Sequence, residues 1–418
     1  MTSVRVVAIV ATVVLFVACT DETDEDDDAG VDDVSVVDTS APTDATTTAD
    51  DTTDATSKSC PETQVLNPLD NTCQPAPDGD SPIYEAKTLI DYGAQGALQG
   101  PGENALLPST SYPVPRPSDN ALYVFAANRL YRYDLGTGLH QAVAGLGVAG
   151  CADGPLEAAQ FNVNTYQNAG FGFSPDGERF YLVGECGVRV VDLNKGEVST
   201  LAADKLDGVR ALHVGRESGN VYLTTWNEYF VATPSGKVEK RTWKSPRKVL
   251  GTKNASPPGF IAVDEKNGYV YGLERNYGGG ALYRWPVEGG PVEWLNTEAT
   301  KRDRNEQYTS DGPVSGLAMA NPSGLTIGPE GFLHIGAGDG RTFRRFNPET
   351  GMVRSLCHRK DGRYEWCADN VVAGVKRKRN VFHTWPNSLY FDAVGNGYFS
   401  FSVWPRTVVL RRTSMKGG

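Results

Sequence analysis

The stretch "GFGFSPDGERFYLVGECGVRVVDLNKGEVSTLAA", Gly170 to Ala203, constrains this chain more than any other. Aromatic and β-branched residues fill four short runs, broken at Pro-Asp-Gly, at Cys186 and Gly187, and at Asn-Lys-Gly. Alternation between such turn signals specifies strands, so the stretch reads as a four-stranded antiparallel meander. Its first turn and following strand return as "PSDNALYVF" at Pro117, "ESGNVYLTT" at Glu217, "EKNGYVYGL" at Glu265, "GPEGFLHIG" at Gly328 and "AVGNGYFSF" at Ala393, making six. The later turn returns as "YDLGTG", "VDLNKG" and "FNPETG", ending at Gly138, Gly196 and Gly351, each with Asp or Asn four residues before the glycine. That spacing suits a type I turn closed by a glycine at positive φ. A twisted four-stranded sheet buries both faces only between neighbours, so six such units stack radially. The expected fold is all-β, a six-bladed β-propeller of four-stranded antiparallel blades.

A second repetition lies between the units. "CADGPLEAAQFN", Cys151 to Asn162, returns as "SDGPVSGLAMAN", Ser310 to Asn321, with Phe161 and Met319 eight residues after the Asp. With "SDGPVSGLAMANPSGLTIGPEGFLHIGAGDGRTFRRFNPETG" as its best copy, the chain resembles the NHL-repeat β-propellers from about Ser111 to its C-terminus. That resemblance implies the propeller fold and leaves activity open, because a fold does not fix function. The phrase is expected to be a packing lead-in to two blades.

The last unit has room for three strands after Asn387, and "PIYEAKTLIDYG", Pro82 to Gly93, offers an unplaced apolar strand. This N-terminal strand is expected to complete the sixth blade and close the ring without an exposed edge. Cys60 and Cys73 would then staple a small loop over residues 59–81, ahead of a propeller over residues 82–418. Besides Cys19, the cysteines fall into sequence neighbours: Cys60 with Cys73, Cys151 with Cys186, and Cys357 with Cys367. Six cysteines allow fifteen connectivities, so this pairing is one expectation among them. Three long insertions, about residues 143–163, 296–320 and 355–380, all join one blade to the next and so open on one face. Long loops on a rigid ring are the usual seat of binding.

Basic runs lie in or near those loops. "KRTWKSPRK" supplies Lys240, Arg241, Trp243, Arg247 and Lys248. The third insertion supplies Arg359, Lys360, Trp366, Lys376, Arg377, Lys378 and Arg379. Cations interleaved with indoles suit an anionic glycan, a lipid head group or an acidic protein surface. The central channel is expected to be lined by Gln167, Asp207, Ser256, Asn321 and Trp385, with Asn387 and His383 near its mouth. No Ser-His-Asp grouping or carboxylate pair appears there. The chain also resembles, more loosely, the gluconolactonase and senescence-marker lactonase propellers, which implies a divalent cation. Asp207, Asn321 and Asn387 could supply part of a calcium site, but the Glu-Gly-Pro motif of those proteins has no counterpart here.

The N-terminus sets the compartment. Residues 1–19 carry Arg5 and then an apolar run ending at Cys19, too short for a comfortable span of about 20 residues. Phe16 to Cys19 resembles a bacterial lipobox, which implies a signal peptide with Cys19 as the lipidated residue. Residues 20–58 hold fourteen acids and no aromatic residue, the composition of a disordered tether. They also account for the net charge of −11, because without them and Arg5 the chain has 37 acids against 38 bases. Thr20 after Cys19 lacks the Asp that resembles an inner-membrane retention signal, so the lipobox resemblance implies the outer membrane of a bacterial cell envelope, on its periplasmic side or the cell surface, and export removes nucleic acid from the expected partners. The expected function is an envelope-tethered binding module; the alternative is a metal-dependent lactonase or related hydrolase.

Overall fold

The structure is a computed structural model. It describes residues 64–67, 72–75, 83–91, 100–101, 112–163, 170–206, 208–244, 258–274, 280–297, 308–309, 311–317, 321–337, 342–358, 364–366, 377–378, 382, 386, 389–401 and 406–413. The expected signal peptide, Cys19, Cys60, Cys367 and the acidic segment lie outside the described residues. Gln64–Asn67 and Thr72–Pro75 form a hairpin that pairs Leu66 with Cys73.

Six antiparallel sheets form a ring. In chain order the first five have inner strands Tyr112–Pro115, Phe171–Phe173, Ala211–Val214, Pro258–Asp264 and Pro322–Ile327, each followed outward by three more strands. In the sixth, Tyr390–Phe391, Gly397–Ser400 and Arg406–Thr413 are followed by Ile83–Asp91 from the other end of the described chain. Among the described residues there is no α-helix, and Val314–Gly316 makes one 3-10 turn.

Hydrophobic burial explains the ring. Six apolar clusters each fill the space between two neighbouring blades, because each sheet has two apolar faces. Phe125, Phe161 and Phe171 join blades one and two. Val183 and Leu212 join two and three, Tyr229 and Trp285 three and four, Tyr271 and Leu325 four and five, and Phe343 and Phe399 five and six. Ile90, Leu122, Val409 and Tyr398 pack the sixth blade on the first. The tyrosines of the repeated strand share one register position: Tyr123, Tyr181, Tyr222, Tyr271 and Tyr398 stand opposite the inner strand, with His334 taking the place in blade five.

The turns follow the sequence chemistry. Gly138, Gly196 and Gly351 have φ of 71°, 72° and 69°, and their amides donate to the carbonyls of Asp134, Asp192 and Asn347. The Asp or Asn side chain also takes amides within the turn, as Asp134 Oδ1 does from Thr137 at 2.8 Å.

The duplicated phrase is a strap. Gly154–Pro155 and Gly312–Pro313 add to the outer edges of blades two and five, pairing with Glu197–Val198 and Met352–Val353. Asp153 accepts from Thr200 N and Oγ1, at 3.1 and 2.9 Å, and meets the buried Arg189 at 2.8 Å. Asp311 repeats this with Ser355 at 2.8 Å and Arg344 at 3.9 Å. Phe161 is fully buried, with the Arg189 guanidinium 5.6 Å from its ring centre. A third strap, Gly100–Pro101, pairs with Leu139–His140 of blade one in the same register. There Tyr131 takes the place of Arg189 and stacks on His140.

Candidate functional site

The loops of one face are fastened to one another. The first insertion folds on itself through Gly145 N to Leu156 O and Leu146 N to Ala159 O, both 2.8 Å. A disulfide joins its Cys151 to Cys186, in the turn between the second and third strands of blade two, with Cα atoms 5.4 Å apart. The sequence pairing of these two cysteines and the placement of both loops on one face therefore agree. The strand break falls at Glu185–Cys186, one residue before its sequence position.

The second insertion is pinned by Asn296, which is fully buried with every amide direction used. Its Oδ1 accepts from Leu282 N at 2.7 Å and Trp294 Nε1 at 2.9 Å, and its Nδ2 donates to Gly280 O and Leu317 O at 2.8 and 3.1 Å. Tyr308–Thr309 of this insertion then pairs with Arg377–Lys378 of the third, so the two meet across blade five. The third insertion begins as a hairpin, Met352–His358 with Tyr364–Trp366, whose second strand also borders Ile83–Tyr84.

Several predicted ligand residues have partners of their own. Val238–Arg241 is the outer strand of blade three rather than a loop. There Lys240 pairs with Glu228, and Arg241 with Glu239 and Glu288 at 3.1 and 2.8 Å. Trp243 lies against Trp285, ring centres 5.5 Å apart. The basic run thus has counter-charges from its own strand, from the turn ahead of Tyr229–Ala232 and from the next blade. Arg247, Lys248, Arg359, Lys360, Lys376 and Arg379 lie outside the described residues, as do the side chains of Trp366, Arg377, Lys378, Cys73 and Cys357.

Sequence reasoning passed over Arg210 and Trp226. Trp226 occupies the turn between the second and third strands of blade three, on the insertion face, and is 42% exposed. The Arg210 guanidinium lies 4.0 Å from its ring centre. A tryptophan in a polar break, "TTWNE", was the available signal.

At the other end of the channel a polar group gathers. Arg216 of blade three reaches past blade four to donate to Ile327 O of blade five at 2.9 Å. Glu330 pairs with His334 at 2.7 Å; burial pushes its carboxyl up, but His334, its own backbone amide and the nearby Arg345 together hold it below its usual value, while burial holds the His334 imidazole down. Burial pushes Asp392 up to about 6, although Val394 N, Asn396 and Tyr398 all donate to it. Burial, helped by Arg216, pushes His213 down to about 4, so its imidazole is neutral at neutral pH.

Of the proposed calcium donors, Asn321 is described, with φ of 48°, ahead of the inner strand of blade five. Asp207, Asn387 and His383 lie outside the described residues, along with Gln167, Ser256 and Trp385. Among the described residues no three His, Cys, Asp or Glu side chains are grouped to hold a metal ion. No described helix is long and apolar enough to cross a membrane.

Fold and loop arrangement together define a six-bladed β-propeller with one elaborated face. No protein-family model matches the sequence, and no curated protein matches it. Among solved structures it is similar to an auxiliary nutrient binding protein from Bacteroides thetaiotaomicron, at 10% identity and TM-score 0.54, covering 79% of this chain and 76% of the other. A second protein of that bacterium, provisionally named a phosphatase, matches at 12% identity and TM-score 0.54, covering 81% and 80%. A protein provisionally named a gluconolactonase matches at 12% identity and TM-score 0.45, covering 81% and 94%.

Proposed function

We propose that this protein is a binding module of the bacterial cell envelope, anchored by a lipid on Cys19 and presenting the insertion face of its propeller to an anionic ligand. The observation that carries this reading is the fastening of the insertions. A disulfide, a buried asparagine and a strand ladder hold loops that a propeller does not need for its own core. Preorganised loops lose less entropy on binding, which is the use such fastening has. The nutrient-binding propeller of similar fold supports the same class. The acidic segment of residues 20–58 would space the ring from the membrane.

Two measurements test this. Replacing Cys19 with Ala should release the protein from membranes in detergent-free fractionation; retention would refute the anchor. Changing Lys376, Arg377, Lys378 and Arg379 to Ser should weaken retention on an immobilised anionic polysaccharide, most at low salt where charges act beyond about 10 Å. A wild-type protein that binds neither anionic polysaccharides nor anionic vesicles would refute the binding-module reading.

A further inference from the structure

We propose that Arg210 and Trp226 form a subsite for an acidic oligosaccharide, one sugar stacking on the exposed surface of the indole and the carboxylate of its neighbour meeting the guanidinium edge. This rests on the binding-module reading and names its ligand class.

The indole is held in place by its turn. Thr225 N donates to Glu228 O at 3.0 Å, and Thr225 Oγ1 accepts from Asn227 N and Glu228 N at 3.3 and 3.1 Å, so the turn that presents Trp226 is closed at both ends. Of the large apolar side chains exposed among the described residues, it is the aromatic one. Arg210 is fixed from the adjacent strand, its backbone N donating to Thr224 O at 2.8 Å. The stack sets the guanidinium against the ring, and Trp226 stays 42% exposed with that contact in place.

The guanidinium has donors to spare. Among the described residues it makes no ion pair and no side-chain hydrogen bond. Burial weakens its hold on the proton, and Glu185 of blade two only partly opposes this. A planar fork of N–H groups matches a carboxylate. Glu185 lies beside Cys186, its amide donating to Asn162 O at 2.8 Å, so the rim facing Arg210 is anchored by the disulfide.

The ligand class follows from this set. A pyranose presents an apolar C–H face that an indole covers, and its hydroxyls can donate to Glu185. One cation beside one acid suits a singly charged carboxylate better than a phosphate, which carries nearly two charges and would be repelled by Glu185. A bulk anionic surface would need several free cations, and three described cations of blade three, Lys237, Lys240 and Arg241, already have acids.

Calorimetric titration of the full chain with tetragalacturonate, and with the same oligosaccharide after reduction of its carboxylates to alcohols, tests the subsite. Trp226→Ala should weaken both by about tenfold, and Arg210→Gln should weaken the acidic ligand by about tenfold or more while leaving the reduced one unchanged. Trp226→Phe should retain most of the affinity, which separates loss of stacking from loss of the turn. Tetragalacturonate binding unchanged in both Trp226→Ala and Arg210→Gln would overturn the subsite. If that binding is instead lost on changing Lys376 to Arg379 to Ser, the binding-module reading survives without it. No binding of tetragalacturonate by the wild type also overturns the subsite, and retention on other anionic polysaccharides or vesicles decides the broader reading separately.

Discussion

Asp153→Ala is expected to destabilise the ring by about 3 kcal/mol, while the same change made together with Arg189→Met costs much less. Arg189 is 1% exposed and its charge is met by Asp153 at 2.8 Å, whose own side chain is 50% exposed. Removing one partner of a fully buried pair costs about 3–5 kcal/mol, chiefly from the charge left behind. The half-exposed carboxylate lowers that figure, because water can enter beside the guanidinium once the carboxylate is gone. Two lost bonds from Thr200, to a half-exposed carboxylate that water can replace, add about 0.5 kcal/mol each. Methionine in place of Arg189 fills similar volume against Phe161 and needs no counter-charge, so the double variant should lose little beyond those bonds. Blade one shows such an arrangement already, with Tyr131 at that position. Thermal unfolding followed by circular dichroism reads the difference as several degrees between single and double variants. A double variant whose loss equals the sum of the two single losses would refute the reasoning, because the pair would then be uncoupled.

Cys151→Ser should lower stability by about 3–4 kcal/mol in the loop-entropy account, given the separation of 35 residues, and unreduced peptide mapping should show Cys151 linked to Cys186 in the parent. Asp392 gives a pH signature. Its folded carboxyl titrates at about 6 and an unfolded one near 4, so the unfolded state releases its proton first and stability falls as pH rises through that window. Asp392→Asn should flatten the difference in denaturation midpoint between about pH 4 and 6; an unchanged profile would show that another group sets it. A chain beginning after Asp91 leaves Arg406–Thr413 as an open edge and should aggregate on light scattering, whereas a monodisperse truncated protein would show that Ile83–Asp91 is dispensable.

Legibility in the sequence tracked how local each feature was. The six units and their positive-φ glycines could be read because turn and strand chemistry sit within ten residues. The Cys151–Cys186 pairing was read from sequence neighbours, and the placement of their two loops on one face agreed with it. The third strap was missed because the Asp of the phrase is Gln99 at that point, and only its pairing with Leu139–His140 reveals it. The basic run at Lys240 looked uncompensated because Glu228 lies in the turn ahead of Tyr229–Ala232 and Glu288 on another blade. Arg210 and Trp226, sixteen residues apart, become a pair only when the inner and second strands of blade three align.

The pairing of Ile83–Asp91 with Arg406–Thr413 also makes the outer strand of blade six a mechanical element. Any pull applied to the chain ahead of residue 83 arrives first at this strand. Eight residue pairs link it to Arg406–Thr413, and Tyr364–Glu365 adds two more from its other side. If the pull runs along the strand, those bonds share the load together; if it runs across, they break one after another from Ile83. A protein held by its N-terminus in this way would hang from its own clasp, and the direction of the tether would set the force at which the ring opens.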